Sequence, residues 1–261
     1  MRHFLTVSWV IFWQNLSSSS AYIANTLSSV GAEFVRTGAI VVVWYVNLDG
    51  GSGVTNFSYI FTYYVLGQML LMSFSYQQMI GADILYGDFS SKLLRPYSVW
   101  WGYVWEDVGF GFFAYLTTFI TALLIALGGF QWFIIPETWL QGGIFLVSVG
   151  LSWVLMSLLS FSLGWMAFFT TNNRGVNALF EQILLVFSGR LIPLGVLGSS
   201  FLIWNPFSAT FYLPLKIYLE SFEVITSLQI LGVQLFWIVC IFGLAKELYH
   251  RGLQRYESVG L

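Results

Sequence analysis

Residues 226–246 read TSLQILGVQLFWIVCIFGLAK. The run carries one charge, Lys246, and that charge stands at its end. A helix needs about 20 mostly apolar residues to cross the hydrocarbon core of a bilayer, so the run predicts a membrane-spanning helix. It stops where basic residues begin: Lys246 is followed by His250, Arg251 and Arg255. The lone cysteine, Cys240, lies inside the run. It reads as a small buried apolar residue rather than a redox group, and leaves no disulfide to be made within the chain.

Working outward, the whole chain has this character. Of 261 residues, 57% are hydrophobic, 20% aromatic and only 8% charged, against about 25% charged in soluble domains. Five further stretches qualify as spans: 21–46, 57–80, 106–128, 139–170 and 176–200. DGGSG at 49–53, GGFQWFIIPE at 128–137 and TNNRG at 171–175 supply turn chemistry between them. The region 190–225 holds Pro193, Pro206 and Pro214, so it is not one plain helix. Residues 3–16 place Trp9 and Trp13 one turn apart, which suits a helix lying in the headgroup zone; a short first span is the alternative. No small-residue cleavage site closes this run, so no cleavable signal peptide is expected. The expected fold is an all-α membrane protein of six transmembrane helices with an N-terminal interfacial helix, forming a single domain over 1–261.

Six spans put both termini on one side. That side then holds Arg2, Lys92, Arg95, Arg174, Lys246, Arg251 and Arg255, and the other holds Arg190 and Lys216. Positive residues mark the cytoplasmic face, so both termini and the loop at 81–100 are expected there. A net charge of −2 gives no reason to expect nucleic acid as a partner.

Charges within spans are costly and mark interfaces or function. Glu33 and Arg36, three apart in the first span, share a helix face and can pair; an internal ion pair and a substrate contact are the two readings. Glu106 and Asp107 suit the N-terminus of the third span. Glu181, near the cytoplasmic start of the fifth span, either lines an inner cavity or reaches to water. Catalytic patterns are missing. His3 and His250 lie near opposite ends of the chain, and the sequence has neither HExxH nor GxSxG nor a phosphate-binding GxxxxGK. A metal site is not expected, and any ATPase that drives this protein is another chain.

Three stretches carry a family resemblance. They are GADILYGDFSSKLLRPYSVW at 81–100, FSGRLIPLGVLGSSFLIWNPF at 187–207 and the tail RGLQRYESVG at 251–260. In this order, on six spans, they resemble the ABC-2-type permeases, the membrane subunits of ABC exporters, in a six-span bacterial branch. Asn205, before Pro206, departs from that branch's usual turn.

The resemblance implies a permease that pairs with a second, identical or sister, permease subunit and sits on P-loop ATPase subunits. It implies a bacterial inner (cytoplasmic) membrane location in contact with lipid. No cofactor is expected on this chain; ATP and Mg belong to the partner. The loop between spans two and three is implied to dock on the ATPase. On this reading Asp83, Asp88, Lys92 and Arg95 would be its polar contacts, Leu93 and Leu94 its apolar anchors, Gly87 its turn and Pro96 its stop; the alternative is that Lys92 and Arg95 are only topology-setting charges. The segment 187–207, with Gly189, Arg190, Pro193 and Pro206, is expected to form a re-entrant outer hairpin, because irregular backbone at membrane depth must be buried in protein or line water. Arg190 either meets an anionic substrate or caps carbonyls of the broken helix. Arg251 and Arg255 either hold the last helix at the inner leaflet or join the ATPase contact. An ATP-independent channel or secondary carrier is the alternative function; a membrane enzyme or assembly scaffold has less behind it.

Overall fold

The structure, a computed structural model, describes residues 2–20, 23–47, 56–70, 76–170, 173–197, 204–220 and 223–256. Among these the chain is helical, without strands. The helices are α1 (Arg2–Ser20), α2 (Ile23–Asn47), α3 (Phe57–Leu70), α4 (Tyr76–Tyr86), α5 (Phe89–Leu93), α6 (Val99–Gly128), α7 (Trp139–Trp165), α8 (Asn173–Phe187), α9 (Tyr212–Leu219) and α10 (Val224–Leu253).

Among the described residues, three helices are long and apolar enough to cross a membrane: Val99–Gly128, Trp139–Phe168 and Val224–Leu253, each of 30 residues. At about 1.5 Å per residue each measures about 45 Å, well beyond the roughly 30 Å hydrocarbon core. The other expected spans look different. The stretch 57–80 holds two helices, α3 and α4, with 71–75 outside the described residues. The stretch 176–200 holds α8, which ends at Phe187. In α2 the apolar part is Phe34–Val46. The third expected span begins at Val99 rather than 106, so Glu106 and Asp107 are buried inside α6 and not at its N-terminus. Cys240 is exposed on the surface of α10 rather than buried.

α6 runs away from the 87–98 loop, and α7 and α10 return toward it side by side. α7 packs chiefly on α10, and α1 on α6. Gly109 makes the second contact possible: a Cβ there would stand 2.7 Å from the Phe12 carbonyl. Two apolar cores result. One, at the end far from the loop, gathers Tyr63, Leu155, Phe211 and Leu213. The other, at the loop end, gathers Tyr76, Ile80, Phe89, Tyr103, Phe161 and Trp165.

Polar groups inside this apolar frame are paired at specific joints. Gln234 is fully buried on α10. Its Nε2 donates to the Ser148 carbonyl at 3.1 Å, Ser152 Oγ at 2.9 Å and the Ala209 carbonyl at 2.9 Å, and its Oε1 accepts from Ser148 Oγ. One amide thus ties α10, α7 and the 208–210 turn. Gln141 does the same at the start of α7. Thr138 caps that helix by accepting from the Gln141 N–H, while Gln141 Nε2 donates to the carbonyls of Ile217, Tyr218 and Glu220. The stretch TWLQ at 138–141 has capping-box spacing, but Gln141 Oε1 accepts from the Glu137 N–H at 2.8 Å, one residue before the cap, while its amide nitrogen closes the end of α9.

Candidate functional site

The loop that resembles an ATPase-docking segment sits on the second core. α4 ends at Tyr86, and Gly87 turns the chain with φ +86. That conformation strains any residue with a Cβ. α5 follows, one and a half turns long, with Asp88 at its N-cap position and Leu94 at its C-cap. A helix this short does not hold itself. Phe89 anchors it: the ring is fully buried against Trp165, Phe168 and Tyr256. Tyr256, from the tail, also donates to the Gly87 carbonyl at 3.2 Å. The tail therefore braces the loop.

Charge does the rest. Lys92 Nζ lies 2.8 Å from Asp83 Oδ2 on α4 and 2.5 Å from Glu106 Oε2 on α6, over the face of the Tyr103 ring. Tyr103 donates to the same Asp83 oxygen at 2.7 Å. Arg95 reaches Glu106 Oε1 at 3.3 Å and donates to Tyr97 Oη at 2.7 Å. The hydrogen bond to Tyr97 raises the Arg95 pKa above its ordinary value, against the opposing pull of partial burial. Two cations and two carboxylates balance, so the cluster clamps α5 between α4 and α6.

This clamp redistributes the expected docking residues. Asp83 and Lys92 point inward, to each other and to Glu106. The loop turns outward Asp88, half of Arg95 and an apolar set: Tyr86 is 76% exposed, Leu94 87% and Leu93 40%. Pro96 is exposed just before α6.

The outer segment also has a defined geometry up to residue 197 and again from 204. Gly189 has φ +89, and the hydroxyls of Tyr63 and Tyr64 donate to the carbonyls of Gly189 and Leu191, each at 2.7 Å. Pro193 leads into a 3-10 turn at Leu194–Leu197. Asn205 Oδ1 accepts from the Phe207 and Ser208 N–H groups, and its Nδ2 donates to the Phe187 carbonyl at 3.1 Å. So the chain leaves α8 at Phe187 and comes back beside it at Asn205–Pro206. The departure from the family turn at Asn205 is a working side chain: it caps the 208–210 turn. Arg190 places its guanidinium over the Phe211 ring, 5.7 Å from the centroid.

Of the remaining expected residues, Glu181 lines a cleft between α4 and α8. The Glu33–Arg36 pairing lies outside the described residues, since the Glu33 side chain is not among them. Arg251 pairs with Glu247 at 2.6 Å on α10, and Arg255 stacks over Phe169. Residues 257–260 of the tail motif lie outside the described residues.

Against this geometry, a family model described as ABC-2 family transporter protein matches residues 37–260. The chain belongs to the ABC-2 transporter family. It is thus a membrane subunit of an ABC-type transporter, a class that works with ATP-binding subunits. No curated protein and no solved structure matches it. In this ABC-2 transporter protein the resemblance found the loop but not its inner partners. The resemblance gives no role to Phe89 within the loop and does not connect Tyr103, Glu106 or Tyr256 with it. Glu106 carried a signal of its own, a carboxylate in an apolar run with two cations less than 15 residues upstream.

Proposed function

We propose that this chain is the transmembrane subunit of an ATP-driven exporter, coupled to a separate P-loop ATPase through residues 86–96. The observation that carries this reading is the outward face of the loop. Tyr86, at the end of α4, and Leu93 and Leu94, at the end of the short helix α5 that Lys92 clamps and Phe89 anchors, expose apolar surface at a polar end of the molecule. Interfaces want such anchors with a polar rim, and Asp88 and Arg95 supply the rim. ATP and Mg on the partner drive closure of the ATPase, and the clamp passes the movement from α5 to α4 and α6. Such transport requires two states that ATP binding favours unequally. A second permease subunit, identical or sister, completes the path.

Six spans, with α3 and α4 sharing the second and α8 opening the fifth, agree with both termini lying in the cytoplasm of a bacterial inner membrane. α1 exposes Trp9 and Trp13 beside the first turns of α6, which suits an interfacial helix. The pinned turn at Gly189 and the return at Asn205 suit a re-entrant outer hairpin. Arg190 over Phe211 favours a structural role for that cation over a substrate contact.

The test is a mild-detergent purification of the tagged chain from its native membrane, wild type against Leu94→Asp. A stoichiometric ATPase retained by the wild type and lost from the folded variant is the expected result. An ATPase absent from both would turn the reading to an ATP-independent channel or carrier.

A further inference from the structure

The described part of the tail motif ends on Tyr256, half-buried at the loop end of the molecule. α10 stops at Leu253, and the chain tightens there. The Arg255 N–H donates to the Gly252 carbonyl at 3.0 Å and the Tyr256 N–H to the Leu253 carbonyl at 3.4 Å. Gly252 lets this turn close on the end of α7, since a Cβ on it would run into the Phe168 ring. Tyr256 then lies edge-on between two rings: Phe89 of α5 at 5.4 Å and Phe168 of the 166–168 turn at 5.7 Å. Such edge contacts add to what burial of the rings contributes. The Tyr256 hydroxyl donates to the carbonyl of Gly87, the residue whose positive φ aims α5. One side chain thus holds both the turn that starts α5 and the ring that anchors it. Beside it Arg255 lies over Phe169, 5.2 Å from the centroid, so the tail is fastened to the end of α7 by two neighbouring residues.

We propose that Tyr256 is a positioning residue for the ATPase contact: it sets the pose of α5 and carries the movement of that helix to α7 and α10. The assignment rests on the coupling reading and adds a second arm to it. Lys92 joins α5 to α4 and α6 through Asp83 and Glu106. Tyr256 joins the same short helix to the ends of α7 and α10. Those two helices pack on each other and meet the 208–210 turn through Gln234, so the second arm leads to the outer segment. The ring and hydroxyl of Tyr256 are both taken up by the loop and Phe168, while Leu93 and Leu94 face out. Tyr256 therefore acts through α5 rather than on the partner. Coupling of this kind travels through packed side chains that change arrangement together, and a double-mutant cycle measures it.

The test has two readouts on the full chain in lipid nanodiscs. Amide hydrogen exchange by mass spectrometry reads the loop in the permease alone, and titration of the ATPase that co-purifies with the wild type reads the contact. Tyr256→Ala removes the ring and the donor; Tyr256→Phe keeps the ring and loses only the bond to the Gly87 carbonyl. The expected result is exchange over 87–95 roughly tenfold faster in the alanine variant and about threefold faster in the phenylalanine variant, with α7 unchanged, and ATPase affinity weakened by similar factors. In a Leu94→Ala background, where the anchor that α5 presents is already lost, the effect of Tyr256→Ala on affinity shrinks to less than about threefold. A side chain that merely stabilised the fold would weaken binding equally in both backgrounds. Exchange as slow as in the wild type in both variants, faster exchange with unchanged ATPase affinity, or an effect of equal size in the two backgrounds overturns the proposal. If Tyr256→Ala fails to fold, Tyr256→Phe decides by the same criteria. Leu94→Ala binding the ATPase as tightly as the wild type sinks the coupling reading, and this proposal with it. That outcome is told apart from the others because Tyr256 is unchanged in it.

Discussion

At the scale of single residues, Lys92 decides how the loop is held. Its ammonium sits between two carboxylates with side-chain exposures of 20% and 10%. Removing one partner of a largely buried charge set leaves the others uncompensated, which costs about 3–5 kcal/mol when burial is complete. Lys92→Met is expected to cost somewhat less, because the cluster touches solvent, and to show as a clear fall in Tm by tryptophan fluorescence. Adding Asp83→Asn and Glu106→Gln to it removes the uncompensated charges and should return part of the lost Tm. A Lys92→Met protein with unchanged Tm would mean that the ammonium is solvated and the clamp does not exist. The sequence showed Lys92 and Arg95 as a concentration of charge between apolar runs. It did not show which way they face, because Asp83 and Glu106 come within reach only after the Gly87 turn and the entry into α6 have folded. Gly87 itself was legible as a turn. Gly87→Ala forces a Cβ into a left-handed conformation at about 1–2 kcal/mol. Its expected signature is lower coupling of ATP hydrolysis to transport, with the spans intact.

At the scale of elements, the joints are amides rather than charges. Gln234 binds α7, α10 and the 208–210 turn through one side chain, and leaving a buried group without its partner costs about 1–3 kcal/mol. Gln234→Leu is therefore expected to lower Tm while helix content by circular dichroism stays the same, because the loss falls on packing between helices. Gln234→Glu keeps the size and an acceptor but loses the donor to the Ala209 carbonyl, so it should behave like the leucine. A variant as stable as wild type would show that the turn at 208–210 is held elsewhere. Long apolar helices were legible in the sequence, and α7 and α10 fall where the 20-residue runs put them. The start of α6 was not, because Glu106 and Asp107 interrupt the apolar run and look like an N-terminus. In the fold, Tyr115 donates to Asp107 at 2.8 Å and Lys92 meets Glu106, so the helix continues through both acids. The break at 188–210 was legible from Pro193 and Pro206. Its shape depends on Tyr63 and Tyr64, more than 120 residues away in sequence, and no local pattern reports that.

At the scale of the whole molecule, the two ends differ in how they use charge. At the loop end Lys246 and Arg251 are exposed on the last turns of α10, and Arg255 follows beyond its end. At the far end Lys216 pairs with Glu220 and Arg190 lies over Phe211. Exposed basic residues thus gather where the loop and tail meet, the side that the positive-inside rule would assign to the cytoplasm. Ser91 and Glu137 are both exposed, and the 30 residues of α6 stand between them. About 45 Å of helix is long enough to cross the hydrocarbon core, and a crossing would put the two on opposite aqueous sides. In a Cys240→Ser background, a membrane-impermeant maleimide should label Ser91→Cys in inside-out vesicles and spare it in intact cells whose outer membrane has been permeabilised. Glu137→Cys should show the reverse pattern. Labelling of both positions from one side would mean that α6 does not cross. Exchange of the two patterns would place the loop outside, where no ATPase could reach Leu94, and the coupling role of α5 would fall with the orientation.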